Sequence, residues 1–451
     1  MAQKLFLCCA SIVAIMTALG GAIAPAQAAK RTLNSELAAL LASGAIDQAT
    51  HDTHRATLAG IRGELRRLTG TRRTELAGAY AVAKGIAQRG DLRAGRLGPV
   101  FLELQRNLEY WPAQPLLANG QRISFTGSEL VWQEVPGQGI HLHPLANFGK
   151  LNVYARNRRQ AALTAQLLDE LLAVAVPRGG GLAWEYYFTY AGGRGPWISG
   201  LSQGTALQAV ARAAQRLGRL DELRPAIGEG LEMFETAPPT GVRVETEAGA
   251  HYVQYSFWPG LRIANGFAQS LVGLFDVAQI TGDPRAAALF ADGDAQGREE
   301  LPTYDTGAWS LYSRGSVARE SDLGYHTLLR DFLANLCDRT AAPEYCDGAT
   351  HYTTYLEEPP VLELRTRTLR GGRPGRLRFA LNKISRATLV VTALDGRTPI
   401  RSALGTVGRG LRSVAWTPPR RGGAYTLRVE ATDLAGNAAT VEGPLEVVRG
   451  E

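Results

Sequence analysis

The chain is poor in metal-binding and thiol side chains: its 451 residues include four cysteines, seven histidines and three methionines. The close histidine pairs, His51-x-x-His54 and His141-x-His143, have no cysteine at zinc spacing, so neither a metal nor another cofactor is expected. Past residue 28 no apolar run is long enough to cross a bilayer. No regular alternation of strand and helix is visible, which excludes a Rossmann or barrel pattern. Positive charge is in modest surplus, +7 overall and almost all arginine. Read as spread along the chain, that surplus argues against a nucleic-acid reader, which concentrates charge on one face. It fits an anionic polymer, since the arginine fork binds both oxygens of a carboxylate, and it fits plain solubility equally well.

What is present begins with Lys4, an apolar run from Leu5 to Ile23, and the small-residue triplet Ala26-Gln27-Ala28. This reads as a signal peptide cut after Ala28, placing the product outside the cell or in the cell envelope with no membrane span left. Cleavage removes Cys8 and Cys9 and lowers the charge to about +6. Cys337 and Cys346 remain, and in an oxidising compartment such an isolated close pair is most simply a disulfide. It would close the loop after one helix and contribute about 2–3 kcal/mol.

The rest divides by pattern. Residues 29–110 are helical, with Leu58, Ile61, Leu65 and Leu68 spaced at three and four. Residues 111–145 read as a hairpin or small sheet, with a tight turn at Asn119-Gly120 and alternation over Arg122–Val135. From 146 to 357 helices return, punctuated by Gly/Pro loops. Leu163, Leu167, Leu168, Leu171 and Leu172 mark one amphipathic helix; Phe267, Leu271, Leu274, Phe275 and Ala278 mark another. Others fall near 204–217, 221–235, 284–299 and 325–336. Such a series can close into an α/α toroid of helical hairpins, gathering its loops at one end. Glu357-Glu358-Pro359-Pro360 reads as a linker with few contacts across it. The short β-rich runs of 361–451, parted by Gly, Pro and Asp-Gly turns, resemble an immunoglobulin-like β-sandwich module. The fold class is therefore mainly α, with a small β-hairpin region before the toroid and a β-sandwich after it.

One segment does not look like packing. Leu301 to His326, LPTYDTGAWSLYSRGSVARESDLGYH, sets Tyr304, Tyr312 and Tyr325 among Gly, Asp, Ser and Arg and follows neither period 2 nor period 3.6. It reads as an ordered loop or hairpin between helices, where a rigid scaffold can hold polar groups for chemistry. The plainer reading is of tyrosines half-burying their rings with the hydroxyl in water.

This segment resembles the C-terminal domain of the D-glucuronyl C5-epimerase family. The carrying residues are Tyr304-Asp305-Thr306-Gly307, Tyr312 eight residues after Tyr304, and Tyr325-His326 opening a helix. Further matches in chain order are His143-Pro144 to Gly149, Pro196-Trp197 to Gln203-Gly204, and Gln254-Tyr255 followed by Asn265-Gly266-Phe267. The likeness covers about Ile140 to Tyr355. It implies an α/α toroid that removes and returns a proton at carbon 5 of glucuronyl-type residues in an anionic polysaccharide, without a cofactor. Tyr325 then fits the catalytic tyrosine, with Tyr255 and Tyr312 as active-site partners. Arg262, Arg314, Arg319, His326, Gln254, Tyr304 and Trp197 are the candidates for holding substrate, and a homodimer is left open. An arginine near Tyr325 and the helix dipole are expected to lower its pKa.

Two departures bear on mechanism. Gln254 stands where the family has a Glu, and an amide cannot exchange a proton in that way; Ser313 replaces an Asp. Either Tyr255, Tyr312 or a shifted Glu245 or Glu247 takes over, or epimerisation is lost. A uronan lyase, or a noncatalytic uronan or cell-envelope binding protein, are the alternatives.

Overall fold

The computed structural model describes residues 31–450; the signal-peptide reading, with Cys8 and Cys9, lies outside them. Four helices open the described chain: α1 (Leu33–Ala42), α2 (Gln48–Arg67), α3 (Gly70–Gln88) and α4 (Ala94–Tyr110). The starts of α1 and α2 follow from side-chain caps. Thr32 and Asp47 accept the backbone N–H groups of Ser35 and Thr50. Leu58, Ile61 and Leu68 are buried on the face that the three-and-four spacing implies, whereas Leu65 is half-buried.

A three-stranded antiparallel sheet follows: β1 (Arg122–Ile123), β2 (Trp132–Val135) and β3 (Gly139–Leu142). Its hairpin joins β2 to β3 and so lies beyond the Asn119-Gly120 turn, which only leads into β1. Gly139 explains why: its φ is +88°, and a Cβ there would stand 2.4 Å from Asn107 Oδ1, so the chain turns tightly against α4.

Eight further helices carry the middle of the chain. They are α5 (Pro144–Arg156), α6 (Ala161–Ala173), α7 (Gly200–Leu217), α8 (Leu220–Glu235), α9 (Ala264–Thr281), α10 (Pro284–Glu300), α11 (Leu323–Thr340) and α12 (Pro343–Tyr355). Short strands lie in the loops between them: β4 (Val176–Arg178), β5 (Gly181–Ala183), β6 (Arg243–Glu245), β7 (Ala250–Tyr252), β8 (Leu261–Ile263), β9 (Leu311–Gly315) and β10 (Arg319–Glu320). Helices α7 and α9 are apolar or small nearly all round and buried on most faces, the signature of central rather than surface helices. They cross closely because their contact is glycine. A Cβ on Gly273 would meet the carbonyl oxygen of Gly204 at 2.4 Å. On this spine α7 packs against α5 and α8, and α9 against α10 and α11.

Cys337 and Cys346 are disulfide-bonded. Their bridge ties α11 to α12, because Cys346 sits in a helix and not in a loop. That helix begins with Pro343 at its first turn, where a missing N–H costs nothing.

The C-terminal region is all strand: β11 (Leu362–Leu364), β12 (Thr368–Arg370), β13 (Gly375–Leu381), β14 (Ser385–Ala393), β15 (Ile400–Val407), β16 (Gly410–Trp416), β17 (Gly423–Asp433) and β18 (Ala438–Val448). They form sheets of order β11-β13-β16 and β12-β18-β17-β14-β15, with one shared core that includes Leu377, Phe379, Leu389, Leu427 and Val429. The linker does not isolate this region. Lys383, 1% exposed in its side chain, donates to the carbonyls of Tyr355 and Glu358 and pairs with the fully buried Asp433 at 3.1 Å. Asn437 donates to the Leu356 carbonyl. The expectation of few crossing contacts is thus corrected: the end of α12 has unmet carbonyls, and the β region supplies their donors.

Candidate active site

The loops that follow α6, α8 and α10 meet at an open cleft of ≈ 310 Å³. Its base is the sheet β10-β9-β8, where Arg262 pairs with Arg314 and Ile263 with Ser313. Strand β9 presents Tyr312, and the turn to β10 is tied by Ser313 Oγ donating to the Val317 carbonyl. After β10, Asp322 caps α11 by accepting the N–H of Tyr325 at 2.8 Å, which fixes that tyrosine in the first turn of the helix. From the other side come Tyr255 and Trp258, and from a turn with Ala191 at φ +46° comes Tyr190. Gly193 closes this turn against Phe257 so tightly that a Cβ would fall 2.3 Å from the ring.

Three expected catalytic tyrosines therefore line one cavity. The rings of Tyr312 and Tyr325 are 4.5 Å apart, and those of Tyr190 and Tyr255 5.5 Å apart. Gln254 stands beside this row, its Nε2 donating to the Tyr255 hydroxyl at 3.1 Å. Trp197 is buried behind Tyr255, edge-on at 5.8 Å, stacked on Tyr186 and donating its indole N–H to the Phe188 carbonyl. It supports the wall and does not face the cavity.

Burial drives the phenols upward. Tyr312 is pushed up to about 12, Tyr255 further, and Tyr325 is raised as well, with Tyr190 and Asp322 adding to burial. Tyr325 is the expectation that changes here. Arg319 and a bond with Tyr312 do pull its pKa down, but they are outweighed. Tyr255, Tyr312 and Tyr325 are thus held as protonated donors.

Of the expected arginines only Arg319 lines the cleft, and it makes no ion pair among the described residues. Arg262 is taken by Glu300 at 3.0 Å. Arg314 donates to the Thr303 carbonyl and lies over the Tyr304 ring. Tyr304 is fully buried, its hydroxyl shared between Glu300 Oε1 at 3.0 Å and the Arg262 carbonyl at 3.2 Å. Although burial works to raise the Glu300 carboxyl, His251, Gln296 and Arg262 hold it down to about 2. This group is a charged strut beneath the sheet, so Arg262, Arg314 and Tyr304 are removed from direct substrate contact by their own partners.

His326 is likewise structural. It is completely buried and stacked on Trp309 at 3.7 Å. Its Nδ1 accepts from the Ser310 N–H at 3.2 Å and its Nε2 donates to the Tyr352 carbonyl at 3.0 Å, the arrangement of a neutral ring. Burial holds its pKa down, to about 4.

Residues 179–354 match the family described as D-glucuronyl C5-epimerase C-terminus. This stretch belongs to that family. The D-glucuronyl C5-epimerase of Caenorhabditis elegans is 29% identical over 135 residues, 27% of this chain and 22% of that protein, so the match spans about a fifth of the relative's length. Among solved structures, the cellobiose 2-epimerase of Bacillus thermoamylovorans is 10% identical, covering 64% of this chain and 75% of its own, with a TM-score of 0.40. An α-mannanase of Bacteroides thetaiotaomicron, also 10% identical, covers 52% and 66% with a TM-score of 0.39.

Gln254, standing where the resemblance sets a Glu, is beside the cleft and does not line it. Glu245 and Glu247, the expected substitutes for that Glu, do not supply a carboxylate to the cleft. Glu245 is tied to Arg243 and largely exposed, and neither lines the cavity. The cleft carboxylates are instead Asp322, which is spent as the helix cap, and Glu320. Glu320 accepts the Arg409 N–H through Oε2, while its Oε1 is buried without a hydrogen-bond partner. Its nearest cation is Arg409 Nε at 3.6 Å. Glu320 and Tyr190 are the site residues that pattern reading missed. Glu320 follows Arg319 within the segment already singled out, so the signal for it was adjacency alone.

Proposed function

We propose that this protein is an exported C5-epimerase of uronic-acid polysaccharides, built on an α/α toroid of helical hairpins with an immunoglobulin-like β-sandwich appended. The observation that carries the reading is the convergence of Tyr255, Tyr312 and Tyr325 on one cleft with Arg319 as its uncommitted cation. Membership of residues 179–354 in the D-glucuronyl C5-epimerase C-terminus family supports it. A uronate carboxylate at Arg319 gains a two-pronged partner, and negative charge growing there as the neighbouring proton leaves is met by the same guanidinium.

The proton balance divides the groups. The hydrogen on carbon 5 must pass to a base on one face, and a proton must return from the other. Tyr255, Tyr312 and Tyr325 are held protonated by burial, so they form the donating side, with Tyr325 the most accessible of the three. Glu320, whose Oε1 lacks a hydrogen-bond partner, is the cleft carboxylate we assign to accept the carbon-5 proton. The pair leaves carbon 5 inverted when Tyr325 gives up its proton and Glu320 gains one; solvent exchange resets both. Incubating the protein with uronans in deuterated buffer tests this directly. Deuterium should appear at carbon 5 with wild type and fall at least a hundredfold in Glu320→Gln, about the least expected for a lost general base. Unsaturated, ultraviolet-absorbing products in place of exchange would show elimination instead, and no chemistry on any uronan would overturn the reading.

A further inference from the structure

The charge surplus is not spread along the chain, as its size suggests, but gathered at the C-terminal end. Residues 361–451 hold 16 Lys and Arg against 7 Asp and Glu, so the remainder of the chain is net negative. Within the β region four of the arginines share one surface. Strand β13 alternates, with Leu377, Phe379 and Leu381 turned into the core and Arg376 and Arg378 exposed on the opposite face. Arg365 is hydrogen-bonded beside Arg378 through the backbone, and Arg367 follows two residues on. These four arginines line a groove of ≈ 610 Å³, twice the volume of the tyrosine cleft. Its floor is kept low by small neighbours, since Arg376 and Arg378 stand opposite Ala415 and Ser413 of β16.

Folding alone does not account for this cluster. Arg365 is paired with Glu363, and Arg376 donates to Ser413 Oγ. Arg367 and Arg378 have neither an ion pair nor a side-chain hydrogen bond among the described residues. Like charges held together without counter-charges repel, and an anion laid between them removes that cost. The sheet also aims the groove. Strand β16 runs from Ala415 at the groove back to Gly410, and the turn before it places Arg409 on Glu320 at the rim of the cleft. Six residues of strand span roughly 20 Å. A flexible polyanion seated on the arginines can therefore lead along the sheet into the tyrosine cleft.

We infer that the outer face of sheet β11-β13-β16, centred on Arg365, Arg367, Arg376 and Arg378, is a second binding site for a carboxylate-bearing polysaccharide and holds the polymer for the cleft. The choice of a uronan rests on the function proposed above. The cation cluster itself does not.

The test uses the full chain and immobilised polyglucuronic acid, with dextran and a DNA duplex for comparison. Wild type should bind polyglucuronic acid, more weakly as salt rises, and ignore dextran. The double variant Arg367→Ala, Arg378→Ala should bind about tenfold more weakly with its melting temperature not lowered, because both side chains are exposed and unbonded. Tyr325→Phe should bind like wild type. If turnover is present, the double variant should raise KM for long polymers and leave kcat, and activity on short oligosaccharides, as they were. Undiminished binding by the double variant would overturn the site, and tighter binding of DNA than of polyglucuronic acid would overturn the ligand class. Failure of carbon-5 exchange with binding intact would count against the cleft reading alone.

Discussion

Tyr325 occupies a position that a packing tyrosine would not need. It is 42% exposed, fixed by a capped helix start, and packed at a tilt against the Tyr312 ring in the cleft. Removing its hydroxyl by Tyr325→Phe should preserve the ring contacts and cost about 10²–10⁴ in turnover, with binding little changed. Solvent-deuterium uptake read alongside polymer affinity checks this, and full exchange in the variant would hand the role to Tyr312. Gln254→Glu is its counterpart. The side chain already bonds Tyr255 at 3.1 Å, so an acid there should raise exchange if a second carboxylate is what the cleft lacks. The tyrosines were legible because aromatic and polar residues without period are unusual between helices. The supporting roles of His326, Tyr304 and Arg262 were not. A buried histidine neutralised by a backbone carbonyl and a serine N–H looks in sequence the same as one facing solvent, and only the packing of α12 and Trp309 around it decides.

Elements add a pH dependence. The start of α11 and the Trp309 loop are joined through His326, whose pKa of about 4 lies below its unfolded value near 6.5. Such a depressed group leaves the fold at full stability above about pH 6.5. As pH falls from there toward 4, the unfolded chain takes up the proton and the native state does not, so stability drops by about 3 kcal/mol. His143, whose Nδ1 accepts the Ala146 N–H at the start of α5, is held at about 4 by burial and acts with the same sign. Urea melts across this range should show the decline, smaller in His326→Gln than in wild type; an unchanged slope would assign the effect elsewhere. The elements themselves were unevenly legible. Helices with strong apolar stripes, such as α6 and α9, stand out. In contrast α12 starts from Ala342 without a side-chain cap and is rich in Thr and Tyr, so its Pro343 reads as loop. Strand β15 buries little on either face and leaves no clear period.

At the scale of the molecule, the helical and β regions are joined by one buried cation. Lys383 caps the carbonyls of Tyr355 and Glu358, neutralises Asp433 and stands 5.8 Å from the Trp309 ring, which is itself stacked on His326. A linear reading of Glu357-Glu358-Pro359-Pro360 as a spacer misses this, because the partners are separated by 25 to 50 residues and the lysine carries no local signal. The consequence is coupling. Replacing Lys383 by Met keeps the volume but strands Asp433 as a buried charge and leaves the end of α12 uncapped, a loss of roughly 3–5 kcal/mol. Wild type should then melt in a single calorimetric transition, and Lys383→Met should separate into two, with the helical part melting earlier. The variant should also lose part of its turnover, since the same displacement frees Arg409 from Glu320 at the cleft. Two independent transitions already present in wild type would show that the regions are uncoupled and that the buried pair serves the β region alone.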